Sequence, residues 1–133
     1  MSNNFRIGFG FDSHQIEKGD SMTLGGVEIS CGYQIIAHSD GDVVTHAICD
    51  ALLGAAHLGD LGSFVLDDDS TKNLSSLVIL KNVMTKITDL NMSVINIDVG
   101  NISCKATTTD GMGPEGRNEG ISAYATVLLE KIK

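Results

Sequence analysis

The chain has 133 residues, 42% hydrophobic and 20% charged, which suits one packed domain and argues against a disordered polymer. A net charge of −8 with nine basic residues leaves no basic footprint for nucleic acid, and an anionic substrate would need metal ions to offset the protein's own charge. Three cysteines without Cys-x-x-Cys spacing, no apolar signal core in MSNNFRIG and no membrane-length apolar run lead us to expect a soluble, unsecreted protein of a reducing compartment, with no membrane partner.

Residues 5–11 are expected to form the first strand. The stretch IGFGFDSH, residues 7–14, starts like a buried strand and ends on two polar groups. Residues i and i+2 share a strand face, so Asp12 and His14 project together, with Ser13 opposite. The plain alternative is a strand end with two solvated side chains. Next, MTLGGVEISC at 22–31 sets Gly25-Gly26 between two short β-prone runs, a hairpin signal.

From Asp40 to about His57 the pattern is helical, with Val43, Val44, Ala47, Ile48, Ala51 and Ala55 as the apolar stripe. Asp42, His46 and Asp50 make a polar stripe beside it. Asp12, His14 and His46 together would give zinc three donors and leave its fourth position open, the catalytic pattern. A solvated helix face is the competing reading. His57 suits the helix C-terminus.

Residues 59–73 read as a polar loop, in which Asp67, Asp68 and Asp69 fit a solvated run better than an EF-hand loop. A second helix is expected over 74–89, with Leu77, Leu80, Val83, Met84 and Ile87 on its apolar face. Strands follow at 92–99 and 101–107. The segment KATTTDGMGPEGRNEG, 105–120, offers hydroxyls and backbone N–H groups suited to phosphate, and Asp110 offers oxygen to a hard cation. A Thr-rich strand end followed by a turn explains it equally, and Arg117 with Glu119 can be a plain surface ion pair. The last element is expected to be a helix from about Arg117 to Ile132, with Ile121, Tyr124, Ala125, Leu128 and Ile132 on one face. Strands mixed with helices give an α/β or α+β single domain over 1–133.

RIGFGFDSH, LGGVEI, AHSDGDVVTHAICDALLGAAHLGDLG and KATTTDGMGPEGRNEGI stand in one order along nearly the whole chain. With these segments it resembles the 2-C-methyl-D-erythritol 2,4-cyclodiphosphate synthases of the non-mevalonate isoprenoid pathway. The resemblance implies a mixed sheet packed by helices on one face, plus a β-hairpin, in a homotrimer whose active sites lie between subunits. It implies zinc, one per subunit, on Asp12, His14 and His46. His38 and Ser39 would lie near the substrate phosphates and erythritol, with Asp60 and Gly62 on the ribose and diol side. Thr107 and Thr108 would hold the nucleotide phosphates. Asp42 and Asp50 would support the metal ligands, and Arg117 and Glu119 would line an axial channel for an isoprenoid diphosphate.

Two positions depart from the family. Its second-metal ligand is a glutamate, where Asp110 stands here, one methylene shorter, for Mg2+ or Mn2+; and the axial aromatic is replaced within GMGPEG. A larger departure is an absence. The family has a crossover carrying the cytosine-binding loop, whereas only Gly100-Asn101 separates the strands at 92–99 and 101–107. Two residues cannot join parallel strands. Either those strands form a hairpin, or residues are missing near 100/101; a second omission is expected near 64/65.

The expected reaction is an intramolecular phosphoryl transfer on 4-diphosphocytidyl-2-C-methyl-D-erythritol 2-phosphate, releasing CMP and the 2,4-cyclodiphosphate. His38, Thr108 and Asp110 are the expected catalytic residues, and Asp12, His14, His38, Ser39, Asp60, Gly62, Thr107, Thr108 and Arg117 the expected substrate contacts. The alternatives are a zinc-dependent phosphohydrolase and a non-catalytic isoprenoid-diphosphate-binding trimer. The expected location is bacterial cytoplasm or a plastid-type stroma.

Overall fold

The computed structural model describes residues 3–65, 74–98 and 108–133. In chain order these form β1 (Phe5–Lys18), β2 (Ser21–Leu24), β3 (Val27–Ser30), β4 (Tyr33–Ile35), α1 (Val43–Ala55), α2 (Leu61–Phe64), α3 (Ser76–Asp89), β5 (Met92–Ile97), α4 (Gly113–Gly116) and β6 (Gly120–Lys131). Asp67, Asp68, Asp69, Cys104, Thr107 and the strand expected at 101–107 lie outside the described residues. No described helix is long and apolar enough to cross a membrane.

The main sheet runs β4-β1-β6-β5. Every neighbouring pair in it is antiparallel, so among the described residues the sheet is antiparallel and not mixed as expected. β2 and β3 form the predicted hairpin, closing Leu24 against Val27. Its two-residue loop needs positive φ at both positions, and Gly25 and Gly26 supply 61° and 78°.

The expected helix over 117–132 is instead β6. Its apolar residues satisfy both periods: Ile121, Tyr124, Ala125 and Leu128 fit a helix, while Ala123, Ala125, Val127 and Leu129 alternate as in a strand. Pairing decides between them. β6 lies between β1 and β5 and hydrogen-bonds to both, from Gln15↔Gly120 to Phe5↔Glu130 on one side. Tyr124 consequently points away from Ala125, exposed, while Ala125 is buried.

β1 also runs beyond the expected 5–11, through Asp12 and His14 to Lys18. Its pleat does not bury the apolar residues of IGFGFDSH. Ile7, Phe9 and Phe11 are 79%, 61% and 45% exposed, on the face away from α1. The face toward α1 carries Gly8 and Gly10. A Cβ at Gly8 would stand 1.9 Å from the Ala51 carbonyl oxygen, and one at Gly10 would stand 1.9 Å from that of Ala47. Only the missing side chains let the helix backbone lie this close.

The core sits between α1, α3 and the sheet. Leu52 and Leu53 of α1 pack with Val83 and Ile87 of α3 and with Leu129 of β6, all fully buried. Along α3 the buried apolar positions are Ile79, Val83 and Ile87; Leu77 is exposed and leans toward the hairpin turn at Gly26. The stretch expected as a loop from residue 59 contains α2 in its described part, a single turn started by Asp60, whose Oδ1 accepts the Ser63 N–H at 2.7 Å.

Candidate metal centre

Three elements bring polar groups to one place. β1 continues past its glycines on the same face, so Asp12 and His14 follow Gly8 and Gly10 toward α1. α1 lies tight on those glycines and presents His46 one residue before Ala47. The donor atoms of Asp12, His14 and His46 all lie within 4.8 Å of one another.

Both rings converge on one carboxylate oxygen. His14 Nδ1 is 3.0 Å and His46 Nδ1 3.1 Å from Asp12 Oδ2. The His46 contact has hydrogen-bond geometry. The His14 approach lies off that direction, which leaves a buried nitrogen without a hydrogen-bond partner among the described residues. Burial acts to raise the Asp12 carboxyl, but the two histidines outweigh it and hold it at about 2. The Asp12 carboxylate in turn raises His14 against the opposing effect of burial, with a smaller contribution from Asp40.

This donor set fits a divalent ion. An ionised carboxylate and two imidazole nitrogens converge, and a cation would satisfy the orphaned His14 nitrogen. Three protein ligands leave positions open for a further ligand, as catalytic centres require.

Asp42 and Asp50, on the same polar stripe as His46, make bonds of their own. Asp42, fully buried, is the N-cap of α1: Oδ1 accepts the Thr45 N–H at 3.0 Å and Oδ2 the Thr45 hydroxyl at 2.8 Å. The same carboxylate accepts the N–H groups of Gly25 and Gly26 at 2.8 and 2.7 Å, clasping the hairpin turn to the helix. Asp50 accepts the Leu61 N–H at 3.3 Å and so steadies α2.

The groups that do reach His46 went unnoticed in the sequence. Ser76 Oγ lies 2.7 Å from His46 Nε2, and its hydroxyl also bonds Asp40 Oδ1. Asp40 Oδ2 accepts the Ser76 backbone N–H at 2.8 Å. Burial acts to raise the Asp40 carboxyl, but these Ser76 bonds and the Asp42 N–H lower it on balance.

The remaining expected site residues do not join the cluster. His38, Asp60, Gly62, Thr108 and Asp110 are exposed and Ser39 is half-buried. Asp110 sits at φ 55° in the turn before α4. Arg117 forms a two-pronged pair with Glu119 at 3.0 and 3.1 Å, both exposed. Cys49 offers no nucleophile: burial pushes its thiol up to about 12, with smaller contributions from Asp42 and Asp50.

An antiparallel sheet covered on one face by helices, with an open Asp-His-His donor set at the strand–helix seam, defines an α+β protein with a candidate catalytic metal centre. The model of the YgbB family matches residues 5–101 and 95–130. The chain is similar to the 2-C-methyl-D-erythritol 2,4-cyclodiphosphate synthase of Methylococcus capsulatus, 43% identical over 156 residues, covering 96% of this chain and 99% of that one. It is 41% identical over 155 residues to the enzyme of the same name from Syntrophomonas wolfei, covering 95% and 99%. Among solved structures it resembles the bifunctional IspDF of Campylobacter jejuni, with a TM-score of 0.87 at 32% identity, covering 97% of this chain and 43% of that one. It also resembles Plasmodium falciparum IspF in complex with CDP, with a TM-score of 0.82 at 28% identity, covering 99% and 100%. The chain belongs to the YgbB family, that of the 2-C-methyl-D-erythritol 2,4-cyclodiphosphate synthases. The alignment with the Methylococcus capsulatus enzyme spans 156 residues against a chain of 133, so that relative has residues with no counterpart here.

Proposed function

We propose that this chain converts 4-diphosphocytidyl-2-C-methyl-D-erythritol 2-phosphate to 2-C-methyl-D-erythritol 2,4-cyclodiphosphate and CMP. The convergence of Asp12, His14 and His46 in a member of this family carries the reading. An oxygen of the 2-phosphate forms a bond to the β-phosphorus while the bond from that phosphorus to the bridging oxygen breaks. CMP leaves with the bridging oxygen and no water is consumed. The reaction needs no protein nucleophile; positioning and charge neutralisation are the protein's tasks.

Asp12, His14 and His46 hold zinc in this reading, and Asp110 is a ligand for a second divalent ion, Mg2+ or Mn2+. Bound there, such ions act as Lewis acids toward phosphate oxygens, which also lets a chain of net charge −8 accept a polyanion. His38 and Ser39 orient the erythritol phosphate, Asp60 and Gly62 the ribose and diol, and Thr107 and Thr108 the nucleotide phosphates. The exposure of His38, Asp60, Thr108 and Asp110 supports these roles, because a ligand can reach them.

The functional unit we propose is a homotrimer with its sites between subunits. Ile7, Phe9, Phe11 and Tyr124 favour it, since together they make an apolar patch on the uncovered sheet face. Arg117 and Glu119 belong to its axial channel, with an isoprenoid diphosphate as occupant. The residues that the relatives have in addition belong, on this reading, near 100/101, where the cytosine-binding crossover would start, and near 64/65. The setting is bacterial cytoplasm or plastid-type stroma.

Product analysis tests the reaction. Purified protein with the substrate, zinc and magnesium should give the cyclic diphosphate and CMP in equal amounts, and a chelator should stop turnover until zinc is returned. An opened phosphate product would identify a phosphohydrolase instead.

A further inference from the structure

We propose that Ser76, backed by Asp40, is the positioning residue that fixes the His46 ring at the metal centre; the inference rests on reading Asp12, His14 and His46 as metal ligands. Ser76 is the first residue of α3 and is fully buried. The N-cap of that helix, Ser75, makes no side-chain capping bond, and the Asp40 carboxylate takes the Ser76 N–H instead. The loop before α1 is thereby pinned to the start of α3.

Proton counting sets the direction of the chain. An ionised carboxylate only accepts, and a serine hydroxyl has one proton to give. Ser76 donates it to Asp40 Oδ1, at very close approach. His46 Nε2, 2.7 Å from the same Oγ, must then be the donor in that contact. The Nε2 proton is therefore committed to Ser76, which leaves Nδ1 as the nitrogen on the ligand side, where a bound metal ion would take the place of the proton shared with Asp12. Nδ1 is the nitrogen that faces Asp12 Oδ2 at 3.1 Å, on the ligand side. The Asp40 charge, passed through the hydroxyl, makes Nδ1 a stronger donor to a metal and holds the ring plane. Residues on β1, α1, α3 and the loop before α1 thus act on a single imidazole. Among the described residues, the bonds of Asp42 go to the hairpin turn and Thr45, and that of Asp50 goes to the Leu61 N–H.

The test is zinc affinity of the full chain, measured by competition with a chromophoric chelator at neutral pH. Ser76→Ala should weaken binding about 10- to 100-fold, the usual loss when a ligand's supporting hydrogen bond is removed. Ser76→Thr keeps the hydroxyl and should restore affinity to near wild type. The zinc-free Ser76→Ala protein should stay folded with a Tm lower by a few degrees, because Asp40 Oδ1 and His46 Nε2 lose a buried partner while the Asp40 bond to the backbone N–H survives. Affinity of Ser76→Ala close to wild type, or Ser76→Thr as weak as Ser76→Ala, overturns the proposal. A measurement on wild type alone covers the case in which the variants do not fold. In the zinc-bound protein the His46 Nε2 proton should give a slowly exchanging downfield NMR signal, and fast exchange there overturns the proposal as well. Failure of the ligand reading itself looks different: wild type would not take up zinc, or His46→Ala would bind it unchanged.

Discussion

Gly8, Gly10, Asp12 and His14 lie on one face of β1, and Ile7, Phe9 and Phe11 lie on the other. The first face gives up side-chain volume so that the backbone of α1 can approach, and then places two metal donors where the helix delivers a third. The second face keeps its bulk and leaves it uncovered, with Tyr124 tilted against Phe9 and Phe11 at ring-centroid distances of 6.1 and 5.0 Å. A single strand with period two thus separates the Asp-His donor pair from an exposed apolar face. The difference teaches that an apolar run in a strand does not say which side meets the core. Here the core side is marked by the smallest residues.

The strongest way to break the chemical face is Gly10→Val. Its Cβ would meet the Ala47 carbonyl oxygen, so α1 must move, at a cost of about 1–3 kcal/mol or more. We expect zinc binding and turnover to be lost and the Tm to fall by several degrees, checked by metal analysis and thermal melting. Wild-type zinc content would show that the seam is not set by helix approach. His46→Ala should come next. It removes one of three donors and should abolish turnover, while circular dichroism and oligomer size stay as in wild type; retained full activity would refute the ligand assignment. The outer face should respond in the opposite sense. Phe9→Asp adds charge to a residue 61% exposed in one chain, so the monomer fold and zinc affinity should persist while sedimentation shows loss of the proposed trimer. An unchanged assembly would mean that this face is not the one subunits cover.

Much of this arrangement was legible in the sequence, for reasons that differ by residue. The period-two spacing of Asp12 and His14 and the helical pattern around His46 are local, so both elements could be read and joined into a donor set. Gly25-Gly26 announced its turn because no other residue adopts that backbone as cheaply. The segment ISAYATVLLEK misled because its apolar residues fit both periods, and only its partners on both sides make it a strand. Asp40 and Ser76 stayed hidden because they stand 36 residues apart and meet only once α3 packs beside α1. The serine also looks like an ordinary helix start. The bonds that Asp42 and Asp50 make were hidden on the same ground: a place on a helix stripe says nothing of which donor a carboxylate will find.

The clasp made by Asp42 has a consequence for how the molecule opens. A hairpin tip ordinarily frays first, and its amides exchange with solvent through small local motions. At Gly25 and Gly26 the amides are held by a carboxylate that is also the cap of α1, so freeing them uncaps the helix and strands a charge in the interior. Hairpin turn and helix start should therefore open as one cooperative unit. Hydrogen exchange should show the Gly25 and Gly26 amides protected to the level of Thr45, with Asp42→Ala releasing all three together.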